Sequence, residues 1–156
     1  MLDKNEVHIK QRSEDWFDLR KGRFTASKIS RLLGKETLAK TKQSIDSYAF
    51  EAAVEFIYGK EEDTYVSEDM QRGITLEPLA FDLFNRLKQH DFITTRESGF
   101  FVHGKDAGAS PDGILSNNDC LEIKCPRRNK FFKIVANGID EIDNSYIAQM
   151  QMQMMC

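Results

Sequence analysis

At 156 residues, 40% hydrophobic and 30% charged, the chain fits one domain with room for a real core around a sheet. A net charge of −3 excludes a uniformly basic nucleic-acid binder, and no apolar run approaches the roughly 18 residues of a membrane span. Met1-Leu2-Asp3-Lys4-Asn5-Glu6 lacks the basic-then-apolar layout of a secretory signal, so a cytoplasmic protein is expected.

Ser13 followed by Glu14 and Asp15 reads as an N-cap with acids in the first turn, giving a helix over 14–20 that Gly22 stops. Residues 25–34 repeat the pattern: Thr25 caps, Ile29, Leu32 and Leu33 form the apolar stripe, and Gly34 ends it. A longer helix is expected over 43–58, with Ala49, Ala52, Ala53, Phe56 and Ile57 at helical spacing and Gly59 as terminator. Another, over 68–90, presents Leu76, Leu79, Ala80, Leu83, Phe84 and Leu87 as one buried face; Pro78 inside it should distort or break its hydrogen-bond ladder. From Phe92 to Lys124 the texture changes to short β-rich runs at 92–95, 99–103, 113–115 and 120–125, broken by Gly and Pro. Helical patterns resume at 129–136 and 144–155. Helices, then a sheet, then helices imply an α/β domain of the α+β, mixed-sheet kind. No internal repeat or linker interrupts it, so a single domain over 1–156 is expected. The last helix stops in apolar-rich sequence without Gly, Pro or a basic last turn, which suggests a truncated chain or one segment of a longer product.

Charge is unevenly placed. Between Arg20 and Lys42 lie eight basic residues (Arg20, Lys21, Arg23, Lys28, Arg31, Lys35, Lys40, Lys42) against the single acid Glu36. A second block, Lys124, Arg127, Arg128, Lys130 and Lys133, contains no acid, while acids concentrate in 51–77 and 140–143. Such segregation fits a polyanion-binding face, or equally the solvated faces of helices. Cys120, Cys125 and Cys156 are odd in number and lack CxxC spacing. They argue against a disulfide framework and against a zinc or iron–sulfur site, and are expected as small packed hydrophobes.

The informative stretch is Ser110-Pro111-Asp112-Gly113, then a polar turn at 116–119, then Leu121-Glu122-Ile123-Lys124-Cys125-Pro126. Alternate strand residues share a face, so Leu121 and Ile123 point to the core while Glu122 and Lys124 point together the other way. The turn would fold this strand back beside 113–115 and bring Asp112 to the Glu122–Lys124 pair. Two carboxylates and an ammonium at one end of a hairpin suit phosphodiester hydrolysis. Hard oxygen ligands from Asp112 and Glu122, with the Ile123 carbonyl between them, favour Mg2+ with Mn2+ as substitute. Lys124 can orient water or stabilise developing charge. Trp16, Phe17, Phe24, Phe131 and Phe132 are expected in the core, and His8, His90 and His103 are too scattered for catalysis.

The Pro-Asp…Glu-Ile-Lys arrangement resembles the PD-(D/E)XK nuclease superfamily. Further segments are similar to the phage lambda exonuclease/YqaJ-type viral recombinase family: Trp16…Leu19-Arg20-x-Gly22-x-x-Thr25-Ala26-Ser27, Gly73-x-x-x-Glu77, and Tyr146-x-x-Gln149-x-Gln151. The resemblance runs from Trp16 to Gln151 in the family's order. It implies a restriction-endonuclease-like core, a central mixed β-sheet flanked by helices, with the family's C-terminal part missing. It adds Glu77 as a helix-borne metal carboxylate beside Asp112, Glu122 and Lys124. Arg20 and Ser27 would hold the 5′-terminal phosphate, and Gln149 and Gln151 would touch the substrate. It further implies 5′→3′ digestion of linear double-stranded DNA, a trimeric homo-oligomer if the C-terminus is present, and a single-strand annealing protein as partner. Two other readings remain open on the residues: an endonuclease of the same superfamily, and a DNA-end-binding recombination module without turnover.

Overall fold

A computed structural model of the chain describes residues 5–33, 42–59 and 67–156. In chain order the strands are β1 (Glu6–Val7), β2 (Phe24–Thr25), β3 (Thr95–Glu97), β4 (Phe100–His103), β5 (Ala107–Ala109), β6 (Gly113–Leu115) and β7 (Cys120–Leu121). The α-helices are α1 (Glu14–Arg20), α2 (Lys42–Tyr58), α3 (Glu68–Lys88), α4 (Arg128–Asn137) and α5 (Asn144–Met155), with 3-10 helices at Ala26–Leu32, Gln89–Asp91 and Gly138–Glu141. Backbone contacts divide these into two compact units.

The first unit takes the described residues of Met1–Glu61 with Ser98–Pro111 and Asn144–Cys156. Its sheet has the order β1-β4-β5-β2, antiparallel except for the parallel pair of β2 and β5. Ser13 caps α1 as expected, its hydroxyl accepting from the Trp16 N–H at 3.3 Å. The helix expected after Thr25 is instead the 3-10 helix, and Thr25 does not cap it with its side chain. The reason is that Thr25 is committed to β2: its backbone is extended, and its N–H donates to the Tyr48 hydroxyl at 3.2 Å. The expected terminator Gly34 lies outside the described residues, as do Lys35, Glu36 and Lys40 of the first basic block. The core joins Ala26, Ala109 and Met152, with Ile29, Ala107 and Cys156 packed on it.

Helix α2 is present, but its buried face is rotated from the expected one. Tyr48 and Ala52 are buried, while Ala49, Ala53, Phe56 and Ile57 are exposed. Polar anchors set this face: the Tyr48 hydroxyl holds β2, and Glu51 pairs with Lys28 at 2.9 Å and Arg31 at 2.5 Å on the 3-10 helix.

The second unit takes the described residues of Glu62–Glu97 with Asp112–Asp143. Its sheet is antiparallel, in the order β3-β6-β7. Ser67 caps α3 by accepting from the Met70 N–H at 3.2 Å. The helix then runs unbroken through Pro78, contrary to the expected break; proline removes one N–H from the ladder, and the turns on either side hold. Leu76, Ala80, Phe81 and Phe84 are half-buried, but Leu79, Leu83 and Leu87 are 62%, 56% and 64% exposed. The face is set by Gly113 of β6, where a Cβ would meet Phe81 Cε2 at 2.9 Å and Thr95 Cγ2 at 2.7 Å.

The strand expected at 92–95 begins only at Thr95. Phe92 takes a left-handed conformation (φ 56°) after the 3-10 turn. Its N–H reaches Gln89, and that of Ile93 reaches the Lys88 carbonyl, a helix-closing pattern that keeps these residues out of a ladder. The strand expected over 120–125 ends at Leu121, because the Ile123 N–H donates to a side chain instead of a neighbouring strand. Helices α4 and α5 match expectation to within a residue. Strands β1, β2 and β5 were not legible; Ala107-Gly108-Ala109 has no strand signature. Among the described residues no helix is long and apolar enough to cross a membrane.

Candidate active site and anion pocket

The hairpin expected around Asp112 forms in the second unit. Leu115 N–H donates to the Asp119 carbonyl and Asn118 N–H to the Leu115 carbonyl, both at 2.9 Å. Asn118 turns the chain in a left-handed conformation (φ 69°), which asparagine tolerates. The Asp112 N–H then donates to the Leu121 carbonyl at 2.9 Å, and its Oδ2 accepts from the Ile123 N–H at 2.6 Å. Asp112 thus spans the strand pair with both backbone and side chain.

Glu122 and Lys124, just beyond the end of β7, come together with Nζ 2.5 Å from Oε1. The Glu122 side chain is 6% exposed and that of Lys124 32%. Glu77, half-buried on α3, is close enough to act on Asp112. Burial, the Glu122 charge and the Glu77 charge together push the Asp112 carboxyl up to about 7, against the Ile123 hydrogen bond and Lys124, which pull it down. The same surroundings, burial first and then Glu77, raise the Cys125 thiol and disfavour its thiolate. Cys120 is exposed and not packed as expected, while Cys125 and Cys156 are half-buried.

Among the described residues no three Asp, Glu, His or Cys side chains stand ready to hold a metal ion between them. The donor chemistry nevertheless fits a hard divalent cation. The charges of Glu122 and Glu77 both act on Asp112 and raise its proton affinity, and the donors these three side chains offer are all oxygen.

Arg20 and Ser27 come together in the first unit. Arg20 Nη2 donates to Ser27 Oγ at 3.0 Å, and the guanidinium lies 4.1 Å over the Trp16 ring. Burial lowers the Arg20 pKa, with Tyr48 and Glu55 opposing. A cavity of about 210 Å³ opens here among Trp16, Phe17, Arg20, Arg23 and Lys28, with Glu55 on its wall. Trp16 is held by its indole N–H, which donates to Ser110 Oγ at 2.8 Å. The expectation of a core aromatic cluster is corrected: Phe17, Phe131 and Phe132 are exposed.

On α5, Gln149 is buried at 9% exposure and Gln151 exposed. Gln153, buried at 4%, was missed, although it follows the same spacing. Also missed were Gln11 and Ser98, which both donate to the Pro111 carbonyl, Gln11 at 2.7 Å. Nothing near either residue in sequence marks that clamp. In the second basic block Lys124 pairs with Glu122, Arg127 with Asp69, and Lys130 with Asp143.

The profile of the YqaJ-like viral recombinase domain matches residues 15–156. The chain is similar to the crystal structure of an alkaline exonuclease, LHK-Exo, from Laribacter hongkongensis. Identity is 32% and the TM-score 0.74, over 92% of this chain and 68% of that one. LHK-Exo in complex with dAMP gives the same figures. The mixed α/β fold is therefore shared with a solved nuclease. No curated protein matches the chain.

Proposed function

The chain belongs to the YqaJ-like viral recombinase domain family, and from that premise we propose that it is a metal-dependent exonuclease of phage-type recombination, digesting linear double-stranded DNA from 5′ to 3′. The observation that carries the reading is the convergence of Asp112, Glu122 and Glu77 about Lys124. The resemblance of the fold to an alkaline exonuclease supports it. The family match runs through both compact units, which supports reading residues 1–156 as one PD-(D/E)XK nuclease domain.

Asp112, Glu122, Glu77 and the Ile123 carbonyl would hold Mg2+, with Mn2+ as substitute. A bound cation would neutralise phosphate charge and lower the pKa of water. The chain's own groups do the rest. The Ile123 N–H fixes the Asp112 carboxylate by its hydrogen bond. The Lys124 ammonium, partly exposed beside Glu122, orients the attacking water and stabilises charge on the phosphoryl oxygens. Arg20 and Ser27 receive the 5′-terminal phosphate, for which a guanidinium fork and a hydroxyl are suited donors. Gln149 and Gln151 contribute through α5. A cytoplasmic location, a trimeric assembly and a single-strand annealing partner belong to the same reading.

The test uses duplex DNA labelled at the 5′ or the 3′ end, beside a closed circle, in Mg2+ or Mn2+. Early loss of the 5′ label with the circle intact is expected. Nicking of the circle would favour the endonuclease, and protection of ends without cleavage the binding module.

A further inference from the structure

An anion pocket walled by a glutamate needs an explanation. Arg20, Arg23 and Lys28, the last already paired with Glu51, line the cavity, and Glu55 lines it with them. Glu55 stands one turn beyond Glu51 on α2, but the two differ in employment. Glu51 is engaged by Lys28 and Arg31 and ties α2 to the 3-10 helix. Glu55 lines the cavity itself, and its charge acts on the Arg20 guanidinium. Pairing α2 to its neighbours does not require a carboxylate there.

Its effect on an incoming anion follows from charge alone. A terminal phosphate monoester carries roughly −1.5 to −2 at pH 7, whereas an internal diester carries one charge. Each unit of that charge is attracted by the pocket's cations and repelled by Glu55, so the carboxylate weakens the grip on a terminal phosphate most. An exonuclease that seats a new end after every cleavage gains from such weakening, because an end held too tightly delays the next step.

We propose that Glu55 is the counter-charge that limits the pocket's hold on the terminal phosphate and so sets how fast each end is released. This rests on the reading of Arg20 and Ser27 as the terminal-phosphate pocket. The Glu55→Gln and Glu55→Ala variants both remove the charge, so either one that melts cooperatively serves, and Glu55→Asp restores it. Binding of 5′-phosphorylated and 5′-hydroxyl duplex is measured in EDTA, inhibition by inorganic phosphate alongside, and the first cleavage is timed separately from later steps.

Loss of the charge should tighten binding of the phosphorylated duplex about tenfold, as one charge near a partly desolvated dianion requires, and leave the 5′-hydroxyl duplex nearly unchanged. Inorganic phosphate should inhibit more strongly, later steps should slow relative to the first, and the difference should shrink at high salt. Arg20→Ala separates the two ideas. If it abolishes the preference for a 5′-phosphate while loss of the Glu55 charge leaves binding unchanged or weaker, the proposal is overturned and the pocket stands. If it leaves that preference intact, the pocket reading falls and the proposal with it.

Discussion

Burial and two neighbouring carboxylates hold the Asp112 carboxyl at about 7, so in metal-free protein the charged form is costly. A folded pKa above the unfolded value of about 3.9 means a stability contribution present below pH 4 and lost as pH rises through 7. The cost above pH 7 is at most about 4 kcal/mol, from roughly three pH units at 1.36 kcal/mol each. Asp112→Asn should therefore melt like the wild type near pH 4 in EDTA and several degrees higher at pH 8, measured by thermal denaturation. A variant less stable than wild type at pH 8 would contradict this. The same substitution should abolish activity, the usual opposition of stability and function at such sites. At this scale the sequence was most informative about Asp112, Glu122 and Lys124, because one polar turn and a two-residue spacing suffice to bring them together although the strand ends at Leu121. Glu55 and the Pro111 clamp were illegible, since nothing local marks a residue whose partner lies far along the chain.

Between elements, Gly113 governs how α3, and Glu77 on it, approaches the hairpin. A methyl group there would meet Phe81 and Thr95 well inside normal contact. Gly113→Ala is expected to cost about 1–3 kcal/mol and to lower kcat further than that loss explains, which denaturant titration beside kinetics would separate. On α2, burial works against the Glu51 charge, but hydrogen bonds from Lys28 and Arg31 bring its pKa below the usual value. A depressed carboxylate stabilises above its unfolded pKa and loses that contribution as pH falls through the folded one. Glu51→Gln should cost less than about 1 kcal/mol at pH 7, discounted because the side chain is 43% exposed, and the cost should shrink as pH falls below the usual carboxylate range. The same pairs explain why the α2 face was misread. Apolar residues surround that helix, and a tyrosine hydroxyl and an ion pair decide which side turns inward. In α3 the leucines outnumbered the one phenylalanine, Phe81, that faces Gly113. The capped helix start at Ser13 was local enough to read, whereas two-residue strands such as β1 and β2 exist only through their partners.

Among the described residues, Lys21, Lys28, Arg31, Lys88, Lys124, Arg127 and Lys130 stand in ion pairs with acids, while Arg20 and Arg23 line the cavity beside Lys28. Affinity for DNA ends should accordingly fall with salt less steeply than the 22 basic residues would suggest, since paired cations release no counterions from the duplex; a binding series over ionic strength checks the slope. The central claim is that the Asp112–Glu122–Lys124 hairpin with Glu77 hydrolyses DNA. The most direct measurement is release of mononucleotides from a linear 5′-phosphorylated duplex by purified wild-type protein and Lys124→Ala, in Mg2+ and in EDTA, with both shown to be folded. Release by the wild type in Mg2+ alone is expected, with a loss of about 100-fold or more in the variant. Undiminished release by Lys124→Ala, or release in EDTA, would contradict it.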